Sequence, residues 1–460
     1  MTDKTALLQP DRGQKATAIH LVSKETLAEW SKRLSAPQRA AIAAQKFEGD
    51  GYSYAIIPDG DHWFVVSGVA NPDDLSSWCM AKLAEVLPAG TYRRDSGDPG
   101  KAAFGWITGQ YRFDRYRSDA PDDAPRILLT KAVKHIDPIL AEAAATELVR
   151  DLVNTPAEDM GPADLEAVAA RLAKTYRAEL HVTKGDALER EFPMVHMVGR
   201  AASRSHAPRM IELEWGDAKH PRVALIGKGV CFDSGGLDIK PSSGMLLMKK
   251  DMGGAAHVLA LAGLVMQAGL KVRLHVLVPA VENAIAGNAF RPGDVLRSRA
   301  GISVEIGNTD AEGRLVLGDA LAFACEEEAD AVISMATLTG AARVAVGPDL
   351  APYYTDDAGM AAALEAGAIA GFDPVWRLPL HAPYEAIIEP GIADLDNAPG
   401  WGFAGSVTAA LFLRRFVSNP RYMHFDIYGH VPADQPARPK GGAGQGARAI
   451  LGGLTAMLRL

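Results

Sequence analysis

Along this chain the apolar residues keep two different rhythms. In the first 130 residues they gather in short runs of β-forming residues: positions 52–57 and 63–69 are two such runs, joined by Pro58-Asp-Gly-Asp, and predict a hairpin or tight connection. A helix is predicted over 75–86 and a further strand over 126–130. Nothing in this stretch has the spacing of a catalytic motif. Over 137–153 the pattern turns strongly helical, and Asn154-Thr-Pro ends it.

Beyond that point strands and helices alternate. Strands are predicted over 222–226, 272–278, 303–306, 331–335 and 423–427, and helices over 255–267, 315–327 and 407–416. Such alternation predicts an α/β fold in two domains. A smaller N-terminal α/β domain takes 1–135, a linker helix 136–160, and a larger α/β domain 161–460, whose central mixed, mainly parallel sheet is covered by helices. No internal repeat is visible, and a loop rich in Gly and Pro is expected over 436–446.

Composition narrows the class. With 460 residues, 48% of them hydrophobic and 23% charged, the chain can bury a large core and has the profile of a globular enzyme. A net charge of -8 argues against non-specific attraction to nucleic acid or anionic membranes, so neither is expected as a partner. The longest apolar tract, 255–270, contains His257, Gln267 and two glycines, which suits a buried helix and not a membrane span. The opening residues lack the apolar core of a secretory signal, and three widely spaced cysteines (Cys79, Cys231, Cys325) offer no disulfide framework. A reducing cytoplasm is the expected setting.

Seven charged residues stand out because their neighbours are small or apolar: Lys228, Asp233, Lys240, Asp251, Asp310, Glu312 and Arg314. A charge in such a setting is costly unless it pairs or binds a metal. Four carboxylates against three cations leave positive charge missing, and one or two divalent ions are the simplest candidates. Lys228 and Asp233 follow the strand predicted over 222–226, at the end where ligands of α/β sheets collect. The order Gly-x-x-x-x-Gly-Lys-Ser/Thr of a phosphate loop is absent, although a solvated lysine in a Gly-rich turn would give the same local sequence. Asp251 stands just before a predicted helix and also reads as a plain helix cap.

Asp310, Glu312 and Arg314 alternate with Thr309, Ala311 and Gly313, so an extended segment would put the three charged side chains on one side. The amides of Gly313 and Arg314 would then stand at a helix N-terminus, a natural anion site. The rival reading is a capped helix with a local salt bridge. His-Glu-x-x-His and Gly-x-Ser-x-Gly motifs are absent, and the twelve histidines are scattered.

These segments carry a resemblance. From Arg150-Asp-Leu-Val-Asn-Thr-Pro the match runs through Gly227-Lys-Gly-Val-Cys-Phe-Asp-Ser-Gly-Gly, Asp251-Met-Gly-Gly-Ala-Ala, Asn283-Ala-Ile-Ala-Gly and Arg291-Pro-Gly-Asp-Val to Asn308-Thr-Asp-Ala-Glu-Gly-Arg. It continues in Ala336-Thr-Leu-Thr-Gly-Ala and Thr408-Ala-Ala-Leu-Phe-Leu. Through these the chain closely resembles the leucyl aminopeptidase (cytosol aminopeptidase) family of dimetallic exopeptidases. The resemblance implies a metal-dependent aminopeptidase acting on peptides with a free N-terminus. It implies that Lys228, Asp233, Asp251 and Glu312 hold one metal ion and Asp233, Asp310 and Glu312 a second, with manganese or zinc expected and cobalt or magnesium as alternatives.

Further roles follow from the same resemblance. Lys240 and Arg314 match the two catalytic residues that are not ligands. Met248, Asp251, Thr337, Leu338, Gly340 and Tyr428 match the substrate side, and Ala311, Gly313, Arg314 and Leu338 an anion site for bicarbonate. A cytoplasmic homohexamer is implied, with the N-terminal domain contributing to assembly.

Two positions depart from the pattern or add to it. Tyr428, in Asp426-Ile-Tyr-Gly-His-Val, stands where the family usually has a small residue; its ring either reshapes the pocket or turns away into packing. Asp238, just before Lys240, is either exposed or tunes that lysine. A DNA-binding or scaffolding protein with a secondary peptidase site, and a peptidase narrowed to dipeptides such as cysteinylglycine, are the competing readings. The complete charged set and the acidic net charge favour the aminopeptidase.

Overall fold

The computed structural model describes residues 6–119, 124–389 and 391–460. They build two compact units, one of Met1–Glu147 with Ala433–Lys440 and the other of Leu148–Pro432 with Gly441–Leu460. The division falls inside the helix Ile136–Asn154, within the segment expected as a linker. The excursion Ala433–Lys440, grouped by sequence with the larger domain, belongs to the smaller unit. There the Ala437 amide donates to Glu85 Oε1 at 2.6 Å and Arg438 lies 5.0 Å from the centre of the Trp78 ring.

The smaller unit is built on six strands: β1 (Leu8–Pro10), β2 (Thr17–Val22), β3 (Tyr54–Asp59), β4 (His62–Gly68), β5 (Gly90–Arg94) and β6 (Arg126–Thr130). Their order is β1-β6-β5-β2-β4-β3, parallel throughout except for the β3–β4 hairpin. Asp59 pairs with His62, so Gly60 and Asp61 alone make the connection, and Gly60 takes the positive φ of 59° that such a tight turn requires. The helix expected over 75–86 forms only as Ala81–Val86. Ahead of it the Ser76 hydroxyl accepts from the Trp78 amide at 3.3 Å, a local bond that competes with helix formation. Leu8, Ile19, Val65, Trp106 and Leu128 fill the core.

The larger unit holds β7 (Glu179–Lys184), β8 (Arg209–Trp215), β9 (Arg222–Gly227), β10 (Gly229–Asp233), β11 (Arg273–Asn283), β12 (Val295–Arg297), β13 (Ser303–Glu305), β14 (Ala331–Ala336), β15 (Ala351–Tyr354), β16 (Val375–Arg377), β17 (Leu395–Asp396) and β18 (Tyr422–Asp426). Its main sheet runs β16-β15-β18-β14-β9-β11-β8-β7, with β10 paired to β11. The β15–β18, β8–β11 and β7–β8 pairs are antiparallel and the others parallel.

Every residue of β9 is buried, as expected of a continuous apolar run covered on both faces. Ala224 and Ile226 join the core formed with Leu315 and Val316 of the helix Gly313–Ala324. Gly227 faces the other layer: a Cβ there would come within 2.4 Å of Val258 in the helix Gly253–Gln267.

Candidate metal centre

The strands β9, β10, β11, β14 and β18 are parallel to one another, so their carboxyl ends open on one edge of the sheet. Lys228 follows β9, Asp233 ends β10, Asn283 ends β11, Thr337 follows β14, and Asp426 ends β18. Asp251 comes in on the tight turn Met248–Met252, and Asp310 and Glu312 on the segment leading into the helix Gly313–Ala324. Six of the seven expected charges meet here. Lys228 Nζ lies 2.5 Å from Asp251 Oδ2 and 2.9 Å from Glu312 Oε1. Lys240 Nζ lies 2.9 Å from Asp233 Oδ2 and also pairs with Asp310 Oδ1. Gly313 makes room for the first lysine, since a Cβ at that position would stand 2.7 Å from Lys228 Nζ.

Two ammonium groups therefore face four carboxylates. Asp233, Asp310 and Glu312 each present an oxygen within 4.8 Å of the others, a spacing able to hold a metal ion. Asp251 Oδ2, Asp310 Oδ1 and Glu312 Oε1 lie against ammonium groups without a directional hydrogen bond, and among the described residues Glu312 Oε2 has no hydrogen-bond partner. Burial and repulsion from Asp233 push the carboxyls of Glu312 and Asp310 above their usual range, although Lys228 and Lys240 pull the other way. Burial opposes the charge on Lys228, but Asp251, Glu312 and Asp233 outweigh it and hold its ammonium above the ordinary lysine range. Lys240 is raised in the same way by Asp233 and Asp310. Hard carboxylate oxygens short of positive charge, with an amine among them, fit a pair of divalent cations.

Comparison with known proteins gives the family. Residues 147–451 match the model of the cytosol aminopeptidase family catalytic domain, and residues 17–129 that of the M17 aminopeptidase N-terminal domain. The chain belongs to the cytosol aminopeptidase family. A probable cytosol aminopeptidase of Roseiflexus castenholzii is 35% identical over 430 residues, covering 90% of this chain and 87% of that protein. The crystal structure of the Coxiella burnetii cytosol aminopeptidase superposes with a TM-score of 0.92 at 41% identity, covering 97% of this chain and 98% of that one. The bottromycin maturation enzyme BotP, solved in complex with Mn, superposes with a TM-score of 0.87 at 30% identity, covering 97% and 100%. The protein is thus a metalloaminopeptidase, a hydrolase acting on peptides, with the two-domain architecture of a dimetallic family. Among the described residues, no helix is long and apolar enough to cross a membrane.

Within this aminopeptidase several sequence expectations change. Asp251 is no helix cap: the helix Gly253–Gln267 has Met252 at its cap position without a side-chain bond. The Asp251 carboxylate accepts instead from Thr337 Oγ1 at 2.8 Å. The 310–314 segment is not extended throughout, because Glu312 already has helical angles (φ -74°, ψ -34°). Among the described residues Arg314 makes no ion pair with the carboxylates, and it donates to the Asn397 carbonyl at 2.6 Å. Burial pushes its guanidinium down to about 10. Asp238 is half-buried, and its Oδ2 accepts from the Thr309 amide at 2.7 Å and from its hydroxyl at 3.1 Å.

The asparagines and Asp426 escaped sequence reasoning as supports. Asn283 Nδ2 donates to Asp233 Oδ1 at 2.9 Å and to the Thr309 carbonyl at 3.1 Å. Asn397, fully buried, accepts from the amides of Gly307 and Asn308 and donates to the carbonyls of Asn308 and Ala311. Asp426 holds the 337–340 loop by accepting from Leu338 N, Thr339 N and Thr339 Oγ1. Asn283 stood inside a quoted motif, whereas Asn397 lies far along the chain in a loop with no pattern of its own. Of the expected substrate residues, Met248 opens the turn that carries Asp251, Leu338 is half-buried, and Gly340 is exposed at the start of the helix Gly340–Val346. Tyr428 is half-buried, with Lys250 and Arg343 over its ring.

Proposed function

We propose that this enzyme removes N-terminal residues from peptides with a free N-terminus by means of two divalent ions held by Lys228, Asp233, Asp251, Asp310 and Glu312. The observation that carries this reading is the convergence of four carboxylates on two lysines at the carboxyl edge of the sheet. Lys228, Asp233, Asp251 and Glu312 would hold one ion and Asp233, Asp310 and Glu312 the other. Manganese and zinc are the first candidates, cobalt and magnesium the alternatives, and the Mn complex of BotP supports manganese. When bound, such a pair supplies Lewis acidity to the scissile carbonyl and makes a water acidic enough to attack it at neutral pH.

The chain's own groups do the rest. Lys228 ligates only as the neutral amine, so it gives up a proton on loading. Lys240 keeps its proton, and its ammonium stabilises the negative charge that develops on the carbonyl oxygen. Asp251 receives the free α-ammonium of the peptide, which limits cleavage to the first bond. Arg314, with the amides of Ala311, Gly313 and Leu338, would anchor bicarbonate as a proton shuttle. Support for that anion comes from Arg314 Nε, buried without a hydrogen-bond partner among the described residues, and from the start of the helix Gly313–Ala324, which has no side-chain cap. Met248, Thr337, Leu338, Gly340 and Tyr428 would line the pocket for the first side chain. The working form would be a cytoplasmic homohexamer.

The test is stripping with a chelator followed by titration with manganese or zinc, read by hydrolysis of leucine p-nitroanilide. Activity should vanish and return as two ions per chain are restored. Full activity in the metal-free protein would overturn the reading.

A further inference from the structure

Two cations lie over the ring of Tyr428. Lys250 Nζ is 5.2 Å and Arg343 Cζ 5.1 Å from its centre. Lys250 is only 6% exposed, and among the described residues its ammonium makes no hydrogen bond and no ion pair. Arg343, exposed on the helix Gly340–Val346, makes no ion pair among them either. An aromatic face attracts a cation but offers no acceptor to its N–H groups. Asp251 and Asp426 act on that ammonium only from beyond ion-pair distance, so its N–H groups are left for an acceptor that a ligand brings.

The pair is tied to the catalytic edge. Lys250 immediately precedes Asp251. Gly429, next to Tyr428, lies so close to Thr337 that a Cβ on it would be 3.3 Å from the threonine methyl, and Thr337 Oγ1 donates to Asp251 Oδ1 at 2.8 Å. Building on the aminopeptidase reading above, we propose that Lys250 and Arg343 form with Tyr428 a carboxylate-binding wall of the substrate pocket, so that the favoured peptides are acidic. A peptide can bring that carboxylate on a first-residue Asp or Glu side chain or, in a dipeptide, at its C-terminus. The proximity of Asp251, which would receive the α-ammonium, favours the first side chain.

The manganese-loaded full-length enzyme separates the two sources. Glutamate and leucine p-nitroanilides differ only in the first side chain; Leu-Gly and its amide differ only in the C-terminal carboxylate. In Arg343→Gln and in Lys250→Met, the kcat/KM ratio of glutamyl to leucyl p-nitroanilide should fall about tenfold, the order of one partly screened charge pair. Arg343→Glu should shift preference toward lysine p-nitroanilide. A fall confined to the ratio of Leu-Gly to its amide would keep the carboxylate wall but assign it to the C-terminus. Both ratios unchanged within about twofold in the variants would overturn the proposal. If Lys250→Met does not fold, Arg343→Gln decides alone, because its position is exposed. If the wild type hydrolyses none of these substrates, the aminopeptidase reading itself falls, and this inference with it.

Discussion

Two clusters of charge share the strands β9 and β11, and they differ in how completely they are paired. At the amino end of β9, His275 Nε2 lies 2.7 Å from Glu212 Oε1 and Nδ1 lies 2.7 Å from Arg222 Nη2. Arg273 reaches Glu214 at 3.4 Å and Glu327 at 3.3 Å, while Arg222 Nε lies 3.5 Å from Glu327. Glu212, Glu214 and His275 also bring ligand atoms within 4.8 Å of one another, as Asp233, Asp310 and Glu312 do at the other end. Arginine can only donate, so His275 Nδ1 must accept and Nε2 must carry the proton given to Glu212. That leaves His275 no lone pair for an ion, and the two arginines already supply positive charge to the glutamates. Spacing alone does not distinguish a metal site from a structural network; charge balance and free lone pairs do.

Substitution should break the two clusters in opposite ways. The largest effect is expected for Glu312→Ala, which would remove the proposed shared ligand: kcat/KM should fall by about 10³-fold or more and metal content by elemental analysis should drop with it. Full activity and full metal content in that variant would sink the dimetal assignment. Lys240→Met should lower kcat about 10²–10³-fold while the protein keeps its metal, as expected of a group that stabilises charge without ligating.

A stability measurement sharpens the contrast further. In metal-free protein the folded-state carboxyls of Asp310 and Glu312 titrate above their ordinary values, so the folded state holds more protons than the unfolded one. Stability should then be greatest below the ordinary carboxylate range and decline as pH rises through the elevated one. Added metal should remove the decline in thermal melts. His275→Phe should leave activity and metal content within about twofold and cost about 2 kcal/mol of stability, because Arg222 and Glu212 lose a buried partner.

What could be read from sequence was what is local. Lys228, Asp233, Asp251, Asp310 and Glu312 stand in short motifs with small neighbours, and β9, β14 and β18 were legible as mostly apolar runs. The run 272–278 was cut short at Pro279, yet β11 carries that proline in register opposite Met210 and continues to Asn283. The helix expected to reach 327 ends at Ala324, ahead of three glutamates that would oppose its C-terminal dipole. In the smaller unit, β1, β2 and β5 went unpredicted because they are only partly buried, so their patterns are faint. The Asn397 clamp and the cations over Tyr428 depend on residues brought together from distant stretches. No spacing rule reports such meetings.

The missing methyl at Gly313 reaches beyond the fit of one side chain. With the lysine threaded against bare backbone, its amine comes within 2.9 Å of Glu312, and Asn283 and Thr337 brace Asp233 and Asp251. Little rotamer freedom is left to lose when ions arrive. On the dimetal reading proposed above, capture would be an exchange of protons for metal charge inside a stiff frame, and the acidity of the surroundings, more than the mobility of the chain, would govern how readily the enzyme becomes loaded.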